Sequence, residues 1–245
     1  MAYRKVVPHI ELAKFPPLDK IQHFEGYNGP DGIKVKALHR HEDPSHFYDP
    51  TQESGPIVEH IDNHYHSLVK ALKSGAVTRA AFESAWLAHA VVDGLTPAHH
   101  YPYEEELHVM YAAGKQEFSK RRHKVVIQGD NRRQAMRNNW QMWGSKGLLS
   151  THLHFEAGVA AAVLTGKFPE AINPMKLKQA RLQGPLAFFK GEAAAIHRLK
   201  LYDKFYRTSW TIGLARLVRH QLAPAIIQTV AIEWILAAEE AGIGK

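Results

Sequence analysis

Residues 85–103, AWLAHAVVDGLTPAHHYPY, concentrate metal-ligand residue types at useful spacings. His89 and Asp93 stand four residues apart, so on a helix both side chains leave the same face, one turn apart. Trp86, Leu87, Ala90, Val91 and Val92 surround them with apolar surface, which predicts a largely buried helix. An imidazole and a carboxylate in such surroundings need strong partners, and a bound cation is the most direct one. Gly94 and Pro97 end the helix, because proline removes a donor and disfavours helical geometry before it. His99 follows just past that break, where the chain can fold back toward the same face. A second pair, His152 and Glu156, repeats the spacing in the apolar run LLSTHLHFEAGVAAAVLTG. His154, two residues on, should point away from that face.

Taken singly, each such pair also arises as an ordinary hydrogen-bonded couple. Two pairs on two apolar helices, with a third histidine at the break after the first, favour a metal site. The chain has no cysteine, which excludes disulfides, thiolate zinc sites and cysteine nucleophiles together. Any zinc is therefore held by imidazole and carboxylate, the ligand set of catalytic rather than of most structural sites. Histidine is abundant, 17 in 245 residues, and many of these belong to the surface or to satisfied polar groups of a core. The formal charge of +7 suits anionic substrates or surfaces without specifying one.

The N-terminal stretch MAYRKVVPHIELAKF lacks an apolar run of signal-peptide length, and no later window reads as apolar over the roughly 20 residues of a membrane helix. The expectation is a soluble chain without an evident export signal, cytoplasmic as written. Residues 1–56 are interrupted by Pro8, Pro16, Pro17, Pro30, Pro44, Pro50 and Pro56 and read as irregular loops, able to carry ligands but not to build a core. Asp31 and His46 lie in them. From Ile57 the pattern turns helical, with Ile57, Ile61, His64, Leu68 and Leu72 at three-to-four-residue spacing, a stop at Ser74-Gly75, and the helix of His89 beginning near Val77. His60 and His64, with His66 nearby, read as residues of the helix surface or as supports of ligands. Beyond residue 166, apolar and aromatic residues at helical spacing predict further amphipathic helices, broken near Gly184-Pro185 and Pro224, and the aromatics read as core. No alternating apolar runs demand a sheet, and no phosphate loop, G-x-S-x-G elbow, H-E-x-x-H pair or tandem repeat is present.

Residues 103–146 differ in character, carrying Lys115, Lys120, Arg121, Arg122, Lys124, Arg132, Arg133, Arg137 and Lys146 against few acids, with Trp140 and Trp143 near the end. A basic, aromatic-bearing surface for phosphate-rich ligands fits this composition. A solvated helical hairpin accounts for the same charges without any ligand.

At these residues the chain resembles a known family. HAVVDGLTPAHH looks like a signature of the zinc-dependent phospholipase C and S1/P1 nuclease superfamily, an all-helical fold holding up to three zinc ions. THLHFE is similar to that family's later H-x-x-x-E helix, and SHFYDP to the segment presenting another ligand histidine, with an aspartate ligand some way before it. The signatures keep the family's order from about Asp31 to Glu156, while the last third matches only in being helical. The resemblance implies an all-α, single multi-helix domain of the phospholipase C/P1 nuclease type over 1–245, with an irregular ligand-bearing segment over 1–56 and a basic insertion over 104–146. It implies that Asp31, His46, His89 and Asp93 surround one zinc, with Asp93 bridging toward a second held by His99, His152 and Glu156. Asp31 is placed by distance before His46, and His41 and Asp43 stand as substitutes. His100 and His154 compete with His99 and His152, which the spacing favours.

The departures carry their own expectations. Family members begin, after removal of a signal, with a tryptophan whose amine and carbonyl bind a third zinc, helped by an early histidine. This chain begins MAYRKVV, so that site is missing or altered, and His9 and His23 are guesses for its histidine. The interval between His99 and His152 is longer than the resemblance leads one to expect, and reads as a lid, a substrate surface or a partner interface. With two zinc ions about 3.5–4 Å apart, the implied chemistry is phosphodiester hydrolysis by a metal-bound hydroxide, phospholipase C-like, with Asp31 orienting the water or acting as base. Single-stranded nucleic acid is the variant substrate, and Phe47, Tyr48, Tyr101 and Tyr103, flanking the ligands, would serve lipid or base alike. The alternative class is a non-catalytic, metal-stabilised helical protein that binds a partner or an anionic surface through residues 115–146.

Overall fold

The computed structural model describes residues 1–36, 46–101, 106, 109, 126–164 and 166–245. His41 and Asp43, Tyr103, and Lys115, Lys120, Arg121, Arg122 and Lys124 of the basic segment lie outside the described residues. Among those described the chain is helical, without a named strand; pairing is limited to isolated bridges at Ile10–Gly244 and Asp49–Ser54.

In chain order the helices are α1 (Ala2–Val6), α2 (Leu18–His23), α3 (Pro30–Lys36), α4 (Pro56–Lys73), α5 (Val77–Leu95), α6 (Arg132–Trp143), α7 (Leu148–Leu164), α8 (Pro174–Gln183), α9 (Pro185–His197), α10 (Leu201–Thr208), α11 (Ile212–Leu217) and α12 (Ala223–Glu240). The antiparallel hairpin of α4 and α5 is the scaffold of the site. Its turn follows the expected stop, with Gly75 at φ 68°, a left-handed value that suits glycine. Ile57, Ile61, Tyr65, Leu68 and Leu72 of α4 are buried, at the spacing read from the sequence, against Ala80, Ala81, Ala85, Leu87 and Val91 of α5. The small residues of α5 let the helices approach closely. α12 covers both, burying Val230, Ala231, Ile232, Trp234 and Ile235.

The N-terminal segment corrects the expectation of loops that build no core. Val6, Ile10, Phe15 and Ile21 are buried in the same cluster as α12, with the Phe15 and Trp234 rings 6.0 Å apart. The prolines mark helix starts more than interruptions: Pro30 and Pro56 open α3 and α4, and Pro17 caps α2. At a first helical position proline lacks only an N–H that the helix leaves unpaired anyway.

Pro224 likewise does not break the chain. α11 passes through a π turn at Val218–Leu222 directly into α12, and the wider turn relieves the ring's conflict with the preceding carbonyls. The resulting run Ile212–Glu240 contains a window of mean hydropathy 1.4, long and apolar enough by composition to cross a membrane, contrary to the expectation that no such window exists. In the structure 72% of that window is buried, so packing against α1, α4, α5 and α9 accounts for its apolarity.

Candidate metal centre

Each side chain singled out by spacing is delivered to one region by a different device. α5 presents His89 and Asp93 from adjacent turns of one face. Its end is fixed by Thr96, whose hydroxyl donates to Val92 O (2.7 Å), and the 3-10 turn Pro97–His100 then brings back a buried His99. His46 arrives on an extended segment tied to that turn, Tyr48 N donating to His99 O (3.0 Å). Asp31 stands in the first turn of α3, and His152 and Glu156 project from α7.

These residues form three linked groups: Asp31, His46 and His89; His46, Asp93 and His99; and His99, His152 and Glu156. Within each group the ligand atoms all lie within 4.8 Å of one another. Asp93 joins them, with Oδ2 approached by His46 Nδ1 and by His89 Nε2 (3.1 Å), and Oδ1 facing His99 Nε2 at 3.6 Å. Glu156 Oε1 takes both His99 Nε2 and His152 Nε2 at 3.0 Å. His152 and Glu156 therefore use their i, i+4 spacing to reach a third residue rather than only each other.

The electrostatics match the geometry. Burial opposes ionisation of Asp93, yet the charge of His99 and the hydrogen bonds of His46 and His89 hold its carboxyl well below the usual range. Burial also disfavours a charged His89, but Asp93, Glu25 and Asp31 push its pKa up to about 10. For Glu156, burial is outweighed by His152 and His99, which bring it down to about 2. The pattern is an anionic field collected around imidazoles, which favours a cation at its centre.

His89 supplies a test of fit for a metal. Its Nδ1 faces Glu25 Oε2 at 3.5 Å, while Nε2 faces Asp93 at 3.1 Å and Asp31 at 3.9 Å. With carboxylates at both nitrogens, the ring either carries two protons or yields one position to a cation. Glu25 on the far nitrogen is the kind of acceptor that orients a ligand histidine and raises its basicity. Sequence spacing gave no sign of Glu25, which follows α2 and meets His89 only through the packing of α2 on α5. The donor set of imidazole nitrogens and carboxylate oxygens fits zinc.

Exposure within the centre is uneven. Asp31 is 69% and Glu156 37% exposed, whereas His46, His99 and His152 are buried. A small cleft, about 20 Å³ in volume, meets the His46, His89 and Asp93 side and is walled by Pro30, Ile57, Trp86 and Ala90 with His60 and His64. His64 donates from Nδ1 to the buried Glu83 (2.6 Å), which also pairs with Arg79. His60 and His64 thus face the cleft, and the i, i+4 spacing on α4 was the signal for them.

The competing histidines separate cleanly. His100 Nε2–H donates to Gly94 O (2.9 Å), and burial brings its pKa down to about 4, so it remains a neutral ring beside Tyr48 and His197. His154 is exposed and uses its backbone oxygen to accept from the Trp210 indole (3.1 Å). His9 is half-buried, its backbone oxygen accepting from Lys245 N, and His23 is exposed against Phe24. Neither joins the groups found among the described residues. Tyr48 is fully buried against Phe189, so of the flanking aromatics it belongs to the core, while Tyr101 is exposed. Compared with known proteins, the chain matches no protein-family model, no curated protein and no solved structure.

Proposed function

We propose that this chain is a zinc-dependent phosphodiester hydrolase of the zinc-dependent phospholipase C and P1 nuclease type, in fold as in chemistry, acting on a phospholipid head group. The observation that carries the reading is the sharing of Asp93 and Glu156, which joins the ligand groups into one continuous centre with an exposed edge. A metal kept for stability alone is enclosed by its ligands, whereas exposed Asp31 and Glu156 leave a side for substrate.

Asp31, His46, His89 and Asp93 would hold one zinc, and His99, His152 and Glu156 a second, with Asp93 between them. When bound, such ions acidify a water and draw charge from the phosphoryl oxygens. The protein's own part is positioning. Glu25 fixes the His89 ring, Thr96 and Tyr48 hold the turn that carries His99, and the apolar walls Pro30, Ile57 and Trp86 restrict water at the cleft. Asp31 would accept the proton of the attacking water, whose oxygen would bond to phosphorus as the phosphorus–oxygen bond to the leaving alkoxide breaks and that oxygen takes a proton from solvent.

The test is metal content by plasma mass spectrometry on protein purified without a histidine tag, followed by a phosphodiester screen. Two zinc ions per chain are expected, with one or both lost in Asp93→Asn and His152→Ala, and turnover at least about a hundredfold lower in Asp93→Asn. A folded parent that refuses added zinc refutes the metal centre. Tight zinc binding without hydrolysis of any phosphodiester refutes the enzyme and leaves a metal-stabilised binding protein, and preference for single-stranded nucleic acid replaces the lipid.

A further inference from the structure

α6 has the composition RRQAMRNNWQMW, with Arg132, Arg133 and Arg137 and no acidic residue. One side holds it to the protein. Met142 is buried, and the Asn139 side chain both accepts from Ile127 N (3.0 Å) and donates to Ile127 O (2.7 Å), fastening the preceding segment. The opposite side presents Arg133, Arg137 and Trp140 at i, i+4 and i+7, with Met136 one turn before Trp140, so these side chains form one stripe. Met136 is 73% and Trp140 70% exposed. None of the three arginines forms an ion pair with an acid among the described residues.

Isolated apolar residues on a surface are ordinary, and a charged helix face is usually only solvated. This stripe combines both features in one place: large apolar side chains projecting outward among guanidinium groups that pair with no acid among the described residues. That is the arrangement by which a helix lies in a membrane interface, its tryptophan at the headgroup level and its arginines against phosphates. Nucleic acid would be drawn by the same charge, but single strands are held by stacking aromatics along a groove. Here the face is a helix exterior, and Met136 offers no ring on which to stack.

The position relative to the metal centre gives the face a use. α6 packs on α7, and the short link between them leads into the turns that carry His152 and Glu156. Lys146, in that link, sits over the Tyr206 ring at 5.2 Å. A bilayer against α6 would therefore lie alongside the helix that holds part of the site.

We propose that the Arg133, Met136, Arg137 and Trp140 face of α6 docks the protein on an anionic lipid bilayer and so brings a phospholipid head group to the metal centre. The purpose, though not the docking itself, rests on the phosphodiester hydrolase reading.

The test is co-sedimentation of the full chain with vesicles of phosphatidylcholine alone and of equimolar phosphatidylserine and phosphatidylcholine, at low salt and at about 0.5 M salt. The parent should bind the anionic vesicles preferentially and be released by salt. Each arginine at such a surface contributes about fivefold, so Arg133→Gln with Arg137→Gln should weaken binding about twenty-five-fold. Vesicles should shift the parent's tryptophan emission to the blue, and Trp140→Phe should remove that shift. Zinc content and hydrolysis of the soluble diester bis(p-nitrophenyl) phosphate should be unchanged in these variants. If zinc and soluble turnover prove absent while vesicle binding follows α6, the hydrolase reading fails and the docking face stands. Equal binding of the parent to neutral and anionic vesicles, equal binding by parent and variants, or binding of a single-stranded oligonucleotide in place of vesicles would overturn the proposal; the vesicle comparison on the parent needs no variant to fold.

Discussion

Glu233 places an acid in the core where stability must answer to pH. It lies on α12 beside Trp234, whose indole donates to Ser84 O (3.0 Å), and it is fully buried. Neither of its carboxyl oxygens has a hydrogen-bond partner among the described residues, and burial raises its pKa from 4.5 to about 8. Its charge contributes to raising the pKa of Tyr65, which donates to Glu240 (3.1 Å) and is shifted by burial first and by Glu240 next. The protonated acid is thus the form that the fold accepts. Between the unfolded value and about 8 the folded state binds more protons than the unfolded state, so stability falls as pH rises through that window. Below it the group is neutral in both states and has no effect; above it the full cost is present. At about 1.4 kcal/mol per unit of pKa, the loss from Glu233 alone is on the order of 3 kcal/mol by pH 7 and about 5 kcal/mol beyond the window. Glu233→Gln keeps the shape and removes the titration. The assay is urea unfolding of both proteins from pH 5 to 9 in the presence of a chelator, so that metal ligands contribute equally to each. The difference in unfolding free energy should grow in favour of Glu233→Gln with rising pH and level off near 8. Parallel curves would refute the reasoning, since they would mean that Glu233 is solvated or paired when folded.

Other outcomes follow from the same geometry. Glu25→Gln should keep the fold but weaken zinc about tenfold to a hundredfold in chelator competition, because His89 loses the acceptor that orients it. Gly94→Ala should destabilise by about 1–3 kcal/mol in urea unfolding, since a Cβ there would fall 2.6 Å from Phe189 Cζ and push the ring away beside Asp93. Removing the proposed zinc with a chelator should lower Tm by on the order of 10 °C, the effect of a ligand present at about a thousand times its Kd on a domain of this size.

What the sequence disclosed, and what it hid, divides along the range of the interaction concerned. His89 with Asp93, and His152 with Glu156, were legible because a helix converts a four-residue spacing into a shared face without help from the rest of the chain. His99 was legible because Gly94 and Pro97 announce a local break, and the helical character of α4 and α5 because their apolar period is local too. Glu25 was not legible: its distance from His89 depends on α2 lying against α5, and no spacing within either helix encodes it. Tyr48 was misjudged for the same reason. It flanks a ligand in sequence, as a substrate-contacting aromatic would, but Phe189, from a helix far along the chain, covers it.

Proline produced a different kind of error. Counting Pro8 to Pro56 as interruptions made the first segment look coreless, and counting Pro224 as a break divided the longest apolar helix. Proline's cost in a helix is positional: it is nearly absent at the first turn and relieved where a π turn widens the backbone. Once Pro30 is placed at the start of α3, Asp31 falls in the helix's first turn, where an acidic side chain is favoured by the exposed N–H groups. The same placement sets Asp31 at the exposed edge of the ligand group it shares with His46 and His89. The residue assigned by distance alone is therefore brought to His46 and His89 by the start of a helix, and the proline that seemed to disorder the segment is what positions it.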